Sequence, residues 1–413
     1  MLRSFAVLFL FFIRDATTTS FSVELERTRG NATTNPLTAF DVYGQKMTNN
    51  ANIEYHGTIS LGNPPQPFKV VFDTGSDILW RVSVGLLDTN CLFRVPRKGC
   101  RSSGPMVKNC RTGNELYDPN RSQTSEKTGK QFRIQYGTGD SSGDYFRDTF
   151  AFGDPRGKQL KLKKKIVFGA GDRMSFGVTD YVEDDGILGL SFPRPGELGT
   201  SIFQQAVKDG LMDNPIFTTY LSKCGSDQCK NGGLITFGDY DKKNCGKVEG
   251  WAQVIPNSVH WMFRMDGIKI NGRRVASGGQ AITDTGSSEL FFPQEVAMKI
   301  AKQAGAKMTN GAFLINCRAR ISVSVVVDGK DFEITEEQLI IPVPRTRVCR
   351  LAVAAQGESF FLLGDPFIRT FCQVHDVEKK RVGFARAKST VNSRRRRDGK
   401  RSGRRGRKQK RRG

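Results

Sequence analysis

The stretch Val70-Val71-Phe72-Asp73-Thr74-Gly75-Ser76 has a close copy in the second half of the chain, Ala281-Ile282-Thr283-Asp284-Thr285-Gly286-Ser287. Each copy places one carboxylate at a glycine turn that ends an apolar run. A single Asp-Thr-Gly is typical of an ordinary strand-to-turn junction, because Asp and Thr bond their own backbone and Gly supplies positive φ. Two copies half a chain apart favour two similar lobes, each presenting one aspartate at a shared midline.

Two carboxylates that face each other across a water can act as an acid and a base. Like charges about 3 Å apart cannot both ionise, so the pair shares one proton. One member takes a proton from the water and the other protonates the scissile carbonyl oxygen, without a metal or a covalent intermediate. We expect Thr74 and Thr285 to bond the opposite lobe, and Ser76 to bond Asp73. The residues expected to support the pair are Thr74, Gly75, Ser76, Thr285, Gly286 and Ser287.

Further stretches occur in the order and spacing of one known family. They are Glu54-Tyr55-His56-Gly57-Thr58-Ile59, Trp80, Gln135-Tyr136-Gly137-Thr138-Gly139, Asp185-Gly186-Ile187-Leu188-Gly189-Leu190 and Phe361-Leu362-Leu363-Gly364-Asp365. On these residues the chain, from about Glu54 to about Ala387, resembles the pepsin-like aspartic endopeptidases, and it is similar to their nematode members.

The resemblance implies a mainly β, two-lobed acid protease fold with pseudo-two-fold symmetry and a central cleft. It implies hydrolysis of protein substrates at acid pH, no cofactor and no metal. Substrate contacts are expected from Trp80 and from the hairpin that closes over the cleft, at Tyr136, Gly137 and Thr138.

The length of 413 residues exceeds the usual ceiling for one hydrophobic core, which also favours two lobes. We expect a signal peptide over 1–20, a prosegment over 21–45, an N-terminal lobe over 46–214, a C-terminal lobe over 215–387 and a disordered basic tail over 388–413. The prosegment follows from the resemblance; a disordered N-terminal leader is the alternative for that polar stretch.

The first twenty residues have the pattern of a secretory signal. Arg3 precedes an apolar stretch from Phe5 to Ile13, which is too short to cross a bilayer as a helix. No other segment has the apolar length of a transmembrane helix. We therefore expect a monomer that follows the secretory pathway and is secreted or lysosomal. Asn31-Ala32-Thr33 and Asn120-Arg121-Ser122 are acceptor sequences for N-glycosylation.

The nine cysteines indicate an oxidising compartment. Cys224 and Cys229 are expected to close a small loop. By resemblance, Cys317 pairs with Cys349, and Cys245 pairs with Cys372 as in nematode-like members. Three cysteines remain, Cys91, Cys100 and Cys110, so one of them is a free thiol or an intermolecular link.

Several local patterns give further expectations. Phe132 to Phe152 predicts a hairpin and Leu160 to Phe168 a strand, whereas Thr200 to Gly210 and Pro293 to Gly305 predict helices. Three residues depart from the family pattern: Arg81, Phe192 and Glu289. Glu289 follows the second Asp loop, and its negative charge is expected either to raise the pKa values of the aspartate pair or to narrow the acid optimum.

The final 26 residues, from Lys388 to Gly413, contain 14 lysines and arginines and one acid, Asp398. Such a segment cannot bury a core, and it is expected to bind a polyanion such as a glycan, lipid head groups or nucleic acid. Solvated charge without a function is the alternative.

Two other function classes compete with proteolysis. One is a catalytically silent relative that holds peptides in its cleft. The other is a basic secreted protein whose main role is polyanion binding. The histidines, His56, His260 and His375, do not have zinc-ligand spacing, and each is expected to be structural.

Overall fold

The structure is a computed structural model that describes residues 21–28, 54–82, 116–136, 139–174, 185–194, 201–212, 214–223, 229–343 and 346–388. In this part of the chain, strands far outnumber helices. No helix among these residues combines the length and the apolar character needed to span a bilayer.

The described strands of the first half follow the apolar alternation of the sequence. They are β1 (Phe21–Thr28), β2 (Glu54–Leu61), β3 (Gln66–Asp73), β4 (Leu79–Val82), β5 (Glu126–Tyr136), β6 (Gly139–Asp148), β7 (Phe150–Phe152), β8 (Leu160–Lys161), β9 (Ile166–Met174) and β10 (Gly186–Gly189). A 3-10 turn, η1 (Pro119–Arg121), and a helix, α1 (Ile202–Lys208), also lie in this half. Ser201 caps α1 by accepting a hydrogen bond from the backbone of Gln204.

The second half contains sixteen described strands and three helices. The strands are β11 (Ile216–Leu221), β12 (Cys229–Phe237), β13 (Cys245–Gln253), β14 (Met262–Ile270), β15 (Arg273–Thr283), β16 (Leu290–Pro293), β17 (Lys307–Thr309), β18 (Ala312–Ile315), β19 (Ser322–Val327), β20 (Lys330–Thr335), β21 (Ile340–Pro342), β22 (Cys349–Leu351), β23 (Val353–Gln356), β24 (Phe361–Leu363), β25 (Phe371–Asp376) and β26 (Arg381–Ala387). The helices are α2 (Gln294–Ala304), α3 (Glu336–Leu339) and α4 (Asp365–Thr370). Both predicted helices are therefore present, within a few residues of their predicted bounds.

A 15-stranded sheet runs through both lobes, and sheets of seven and four strands complete the second lobe. Strand β1 joins the two halves of the large sheet, because it pairs with β12 of the second half and with β2 of the first half. Residues 21–26 alternate apolar and polar side chains, a short strand pattern within a stretch that was expected to be a prosegment or a disordered leader, and their backbone pairs with strands on both sides. A disordered leader therefore does not describe these eight residues.

The same three-strand arrangement leads to each aspartate loop. Strand β10 lies parallel to β3 and antiparallel to β4, and β24 lies parallel to β15 and antiparallel to β16. Asp73 ends β3, and Asp284 follows β15 directly. The two loops thus leave equivalent positions in the two lobes, which is the internal symmetry expected from the repeated sequence.

One predicted strand is interrupted. Residues 160–168 form β8 and β9 with a break between them, because the Asp209 carboxylate accepts hydrogen bonds from the backbone N–H groups of Lys163 and Lys164, at 2.7 and 3.3 Å. These side-chain bonds replace the strand ladder at that point. The hairpin predicted between Phe132 and Phe152 is present as β5 and β6. The next strand, β7, pairs with β2 in the antiparallel direction.

Two disulfides fix the second lobe. Cys245 is bonded to Cys372, joining β13 to β25, and Cys317 is bonded to Cys349, the first residue of β22. The pairing predicted for Cys224 and Cys229 lies outside the described residues and side chains, as do Cys91, Cys100 and Cys110.

Candidate active site

Asp73 and Asp284 meet at the midline between the lobes. Both are buried, with 6% and 8% of their surface exposed. The backbone carbonyl of Asp73 accepts a hydrogen bond from the N–H of Leu190, and the N–H of Asp284 donates to the carbonyl of Leu363. Each loop is therefore anchored to the segment that crosses beneath it.

Thr74 and Thr285 tie the two loops to each other. The N–H of Thr74 donates to Thr285 Oγ1 at 3.0 Å, and the N–H of Thr285 donates to Thr74 Oγ1 at 3.1 Å. Each hydroxyl then donates to a carbonyl of the other loop, Thr74 to Thr283 at 2.9 Å and Thr285 to Phe72 at 2.5 Å. These reciprocal bonds are the ones expected from the sequence, and they fix the relative position of the lobes at the site.

Each carboxylate receives two local donors. Asp73 accepts from the N–H of Gly75 at 2.8 Å and from the hydroxyl of Ser76 at 2.5 Å. Asp284 accepts from the N–H of Gly286 at 2.8 Å and from the hydroxyl of Ser287 at 2.7 Å. Both carboxylates are thus oriented by their own loops, toward each other.

The two glycines permit the close approach of the carboxylates. A Cβ atom on Gly75 would lie 2.6 Å from the carboxylate carbon of Asp284, and one on Gly286 would lie 2.7 Å from Oδ1 of Asp73. Real Cβ atoms do not approach other atoms so closely. Glycine is therefore required at both positions, since each loop must come close to the opposite aspartate.

The electrostatics of the pair favour a shared proton. Burial raises the pKa of Asp73 well above its usual range, and the charge and hydrogen bond of Asp284 raise it further. The hydrogen bonds from Ser76 and Gly75 act in the opposite direction. One carboxyl of the pair can therefore keep its proton at a pH where an exposed carboxyl is ionised.

Glu289, which the sequence suggested as an unbalanced negative charge, has a cationic partner. Its Oε1 lies 2.6 Å from Nη1 of Arg350, and the side chains of Glu289 and Arg350 are 3% and 19% exposed. Burial raises the pKa of Glu289, and Arg350 opposes that effect. Sequence reasoning missed this arginine because it lies 61 positions further along the chain.

The first loop has a comparable pair. The Asp77 carboxylate accepts a hydrogen bond from the N–H of Arg194 at 3.2 Å, and its Oδ1 lies 3.4 Å from Arg194 Nε. The Arg194 side chain is 39% exposed, so this pair is closer to solvent than the pair of Glu289 and Arg350.

The hairpin that the sequence predicts to act as a flap is present as β5 and β6. Strand β6 pairs with β9, which in turn pairs with β4. The backbone of Tyr136 ends β5 and that of Trp80 lies in β4, whereas their side chains and residues Gly137 and Thr138 lie outside the described set. Their contacts with substrate, and the side chain of Arg81, remain predictions.

Two contacts between aromatic rings near the loops were not predicted from the sequence. Phe192 packs on Trp261 with ring centroids 4.4 Å apart, and Trp261 Nε1 donates to the carbonyl of Leu190. His375 is stacked on Phe217 at 4.3 Å, and its Nε2 lies 3.5 Å from the hydroxyl of Thr283. Burial lowers the pKa of His375 to about 3, so this imidazole is neutral except in strong acid.

A serine-hydrolase site does not account for these residues. Gly139-Asp140-Ser141-Ser142-Gly143 has the Gly-x-Ser-x-Gly spacing, but it lies within the antiparallel strand β6, and Ser141 is fully buried. A nucleophile elbow needs an exposed serine at a turn from a strand to a helix. The described chain offers no such turn at this serine.

Comparison with known proteins gives a consistent result. The family described as eukaryotic aspartyl protease matches residues 54–387. Aspartic protease 2 of Necator americanus is 32% identical over 371 residues, which cover 84% of this chain and 86% of that protein. Aspartic protease 6 of Caenorhabditis elegans is 31% identical, covering 83% of each chain, and cathepsin D of Gallus gallus is 32% identical, covering 82% of each.

Proposed function

The chain belongs to the eukaryotic aspartyl protease family and is an aspartic endopeptidase, and from this premise we propose that it cleaves protein substrates at acid pH. In the proposed reaction, a water molecule is activated between Asp73 and Asp284. The observation that carries the proposal is the reciprocal hydrogen bonding that brings two buried carboxylates together, each with its own pair of donors.

The proposed steps follow from one proton shared by two carboxyls. The ionised member takes a proton from water as the water oxygen attacks the peptide carbonyl carbon. The protonated member gives its proton to the carbonyl oxygen, which forms a neutral tetrahedral diol. In the collapse, the carboxyl that is now ionised takes a proton from a diol hydroxyl, and the carboxyl that is now protonated gives its proton to the leaving nitrogen. The C–N bond breaks, and the pair again holds one proton. Ser76 and Ser287 hold the two carboxylates in place through these steps.

The proposed substrate is an extended peptide with bulky apolar residues on both sides of the scissile bond. A hairpin above a cleft contacts a strand through its backbone, and apolar walls select apolar side chains. Trp80 and Tyr136 are the walls predicted from sequence. A cleavage profile dominated by charged residues at both flanking positions would contradict this proposal.

The test uses the purified full chain and an unfolded protein substrate between about pH 2 and pH 8. We expect cleavage only in acid, its loss with a statine-type inhibitor, and no loss with a metal chelator. Cleavage that survives the inhibitor, or that is confined to neutral pH, would refute the proposal. If the protein is folded but cleaves no substrate at any pH, the alternative of a catalytically silent relative that holds peptides would be favoured.

We also propose that the protein passes through the secretory pathway as a monomeric, glycosylated zymogen, secreted or lysosomal in its final location. The disulfides Cys245–Cys372 and Cys317–Cys349 support an oxidising route. Asn120 lies exposed in η1, where a glycan has room, whereas Asn31 lies outside the described residues. Glycosidase treatment of the secreted protein and sequencing of its N-terminus before and after acid exposure test these points.

A second proposed activity is the binding of a sulfated polysaccharide by the basic tail. One observation from the described chain favours it: the tail leaves the fold among exposed lysines. The N–H of Lys388 donates to the carbonyl of Asn244 at 2.8 Å, which places Lys388 beside the turn that carries Lys242 and Lys243. Lys247 is exposed on β13 nearby. Among the residues that the structure describes, these four lysines have no carboxylate partner.

Retention on a heparin column tests this activity. Removing residues 388–413 should abolish retention at moderate salt, because most of the binding comes from released counterions. Changing Lys242, Lys243 and Lys247 to Gln should lower the eluting salt concentration, whereas the matched change of exposed Lys208, Lys302 and Lys307 should have a smaller effect. Turnover of a small neutral peptide should stay unchanged. Equal retention of the truncated protein would overturn this second proposal.

A further inference from the structure

The mechanism proposed above does not use Glu289, although this carboxylate belongs to the segment that carries Asp284. Glu289 is buried, and among the residues that the structure describes its ion-pair partner is Arg350, on β22. A buried carboxylate without a partner is costly, so its burial beside the site depends on that arginine.

The backbone places Glu289 close to the aspartate pair. The N–H of Asp284 donates to the carbonyl of Leu363 in β24, and Leu290 lies opposite Leu363 on the other side of that strand. Two strand spacings therefore separate Asp284 from Leu290, which is about 10 Å. The loop is also closely packed, because a Cβ on Gly364 would lie 2.3 Å from the carbonyl oxygen of Glu289.

Two other acidic residues beside the loops have arginine partners in the same way. Asp365, whose N–H donates to the carbonyl of Ser287, has Arg369 Nη1 at 3.1 Å. Asp77 has Arg194, as described above. His375, which faces Thr283, stays neutral above strong acid. Among the described residues, the charged groups around the two loops therefore cancel in pairs, apart from the two carboxyls of the aspartate pair itself.

We propose that Glu289 and Arg350 form a positioning pair whose combined neutrality sets the pH range in which Asp73 and Asp284 share one proton. The proposal rests on the proposed two-carboxyl mechanism. Removing the negative member alone leaves the Arg350 cation unbalanced beside the segment that carries Asp284. A cation stabilises the ionised carboxyls, so the second proton leaves at lower pH. For a charge separation equal to the backbone spacing of about 10 Å, and an effective dielectric constant of about 20 to 40, the expected shift is about half to one pH unit.

The test is the pH dependence of kcat/KM for a small neutral peptide. Glu289→Gln keeps the shape of the side chain. In this variant the alkaline limb of the pH profile, where kcat/KM falls as the pH rises, should lie about half to one pH unit lower than in the wild type. The double variant Glu289→Gln/Arg350→Gln removes both charges and should return that limb to the wild-type position. Arg350→Gln alone is less informative, because a lone buried Glu289 takes up a proton instead of staying charged.

Glu295→Gln is the matched control. Glu295 lies on α2 in the same lobe and also forms an ion pair, with Lys299 at 2.6 Å, but its side chain is 80% exposed. This variant should leave the limb unchanged. Thermal unfolding of all variants at one acid pH checks that they are folded.

The outcomes separate this inference from the proposed function. If the wild-type protein has no acid activity, the proposed function fails. If the wild type is active and Glu289→Gln lowers the rate without moving the limb, Glu289 has only a structural role and this inference is wrong. It is also wrong if the limb stays displaced in the double variant.

Discussion

The first aspartate loop and the second hold their carboxylates by the same hydrogen bonds, but they are supported by different residues. Asp73 and Asp284 each accept from a glycine N–H at 2.8 Å and from a serine hydroxyl. Directly before Asp73, Phe72 stacks with Phe152, whereas directly before Asp284, Thr283 faces the imidazole of His375. The first loop thus has an apolar support and the second a polar one.

The charged pairs beside the two loops also differ, in how far they are exposed to solvent. Arg194 is 39% exposed beside Asp77, whereas Arg350 is 19% exposed beside Glu289 and approaches its partner more closely. The two loops are therefore equivalent in the hydrogen bonds to their carboxylates and differ in the residues that surround them. Variants made in pairs, one in each loop, can test how far that symmetry extends.

The largest of these effects is expected at the paired glycines. Gly75→Ala and Gly286→Ala would each place a Cβ within 2.7 Å of the opposite carboxylate, so both should lower kcat/KM by about a hundredfold or more, because the carboxylates must move apart. Gly357→Ala is the control, since nothing lies within 4 Å of a Cβ there. Peptide hydrolysis at the acid optimum measures the effect. A loss in only one of the two variants would break the symmetry.

The buried histidine should make the second loop sensitive to acid. The pKa of His375 is about 3 in the folded protein and about 6.5 when unfolded, so stability present above pH 6.5 is lost as the pH falls toward 3. His375→Phe retains the stacking on Phe217 and should therefore raise the free energy of unfolding at pH 4 by roughly 3 kcal/mol more than at pH 7. Urea unfolding at the two pH values measures this difference. An equal change at both would show that His375 does not titrate in this range.

A smaller effect is expected at the paired threonines. Thr74→Val and Thr285→Val each leave one buried backbone N–H of the other loop without its acceptor, which costs about 1 to 3 kcal/mol of stability. Thr370→Val is a matched control, because its hydroxyl only donates to the carbonyl of Pro366 within α4. Urea unfolding should show similar losses for the two loop variants and a smaller one for the control. Unequal losses would mean that one lobe carries more of the connection.

The repeated Asp-Thr-Gly-Ser stretches made the loops predictable, because their hydrogen bonds connect residues two or three positions apart or repeat across the symmetry axis. The partners of Glu289 and Asp77 were not predictable, since Arg350 and Arg194 are brought to the loops by distant strands. No single-sequence pattern links an arginine to a carboxylate far along the chain.

The same limit explains the two differences in the fold. Residues 21–28 do alternate apolar and polar side chains from Phe21 to Glu26, but so short a pattern does not identify its partners, and two neighbouring strands supply their hydrogen bonds. Residues 160–168 read as one strand, and the distant carboxylate of Asp209 interrupts them. In both places a contact from another part of the chain decides the local conformation.

The central claim, that two equivalent loops supply one carboxyl each to a single acid and base pair, is tested most directly by Asp73→Asn and Asp284→Asn. Asparagine keeps the shape of the side chain but cannot exchange the shared proton, so each variant should lose between about a hundredfold and ten-thousandfold of kcat/KM in acid. Because the pKa of Asp73 is raised in the folded protein, ionisation costs stability as the pH rises through that pKa, and Asp73→Asn should unfold no more readily than the wild type at neutral pH. Equal and severe losses in two folded variants would support the account, whereas full activity in either variant would contradict it.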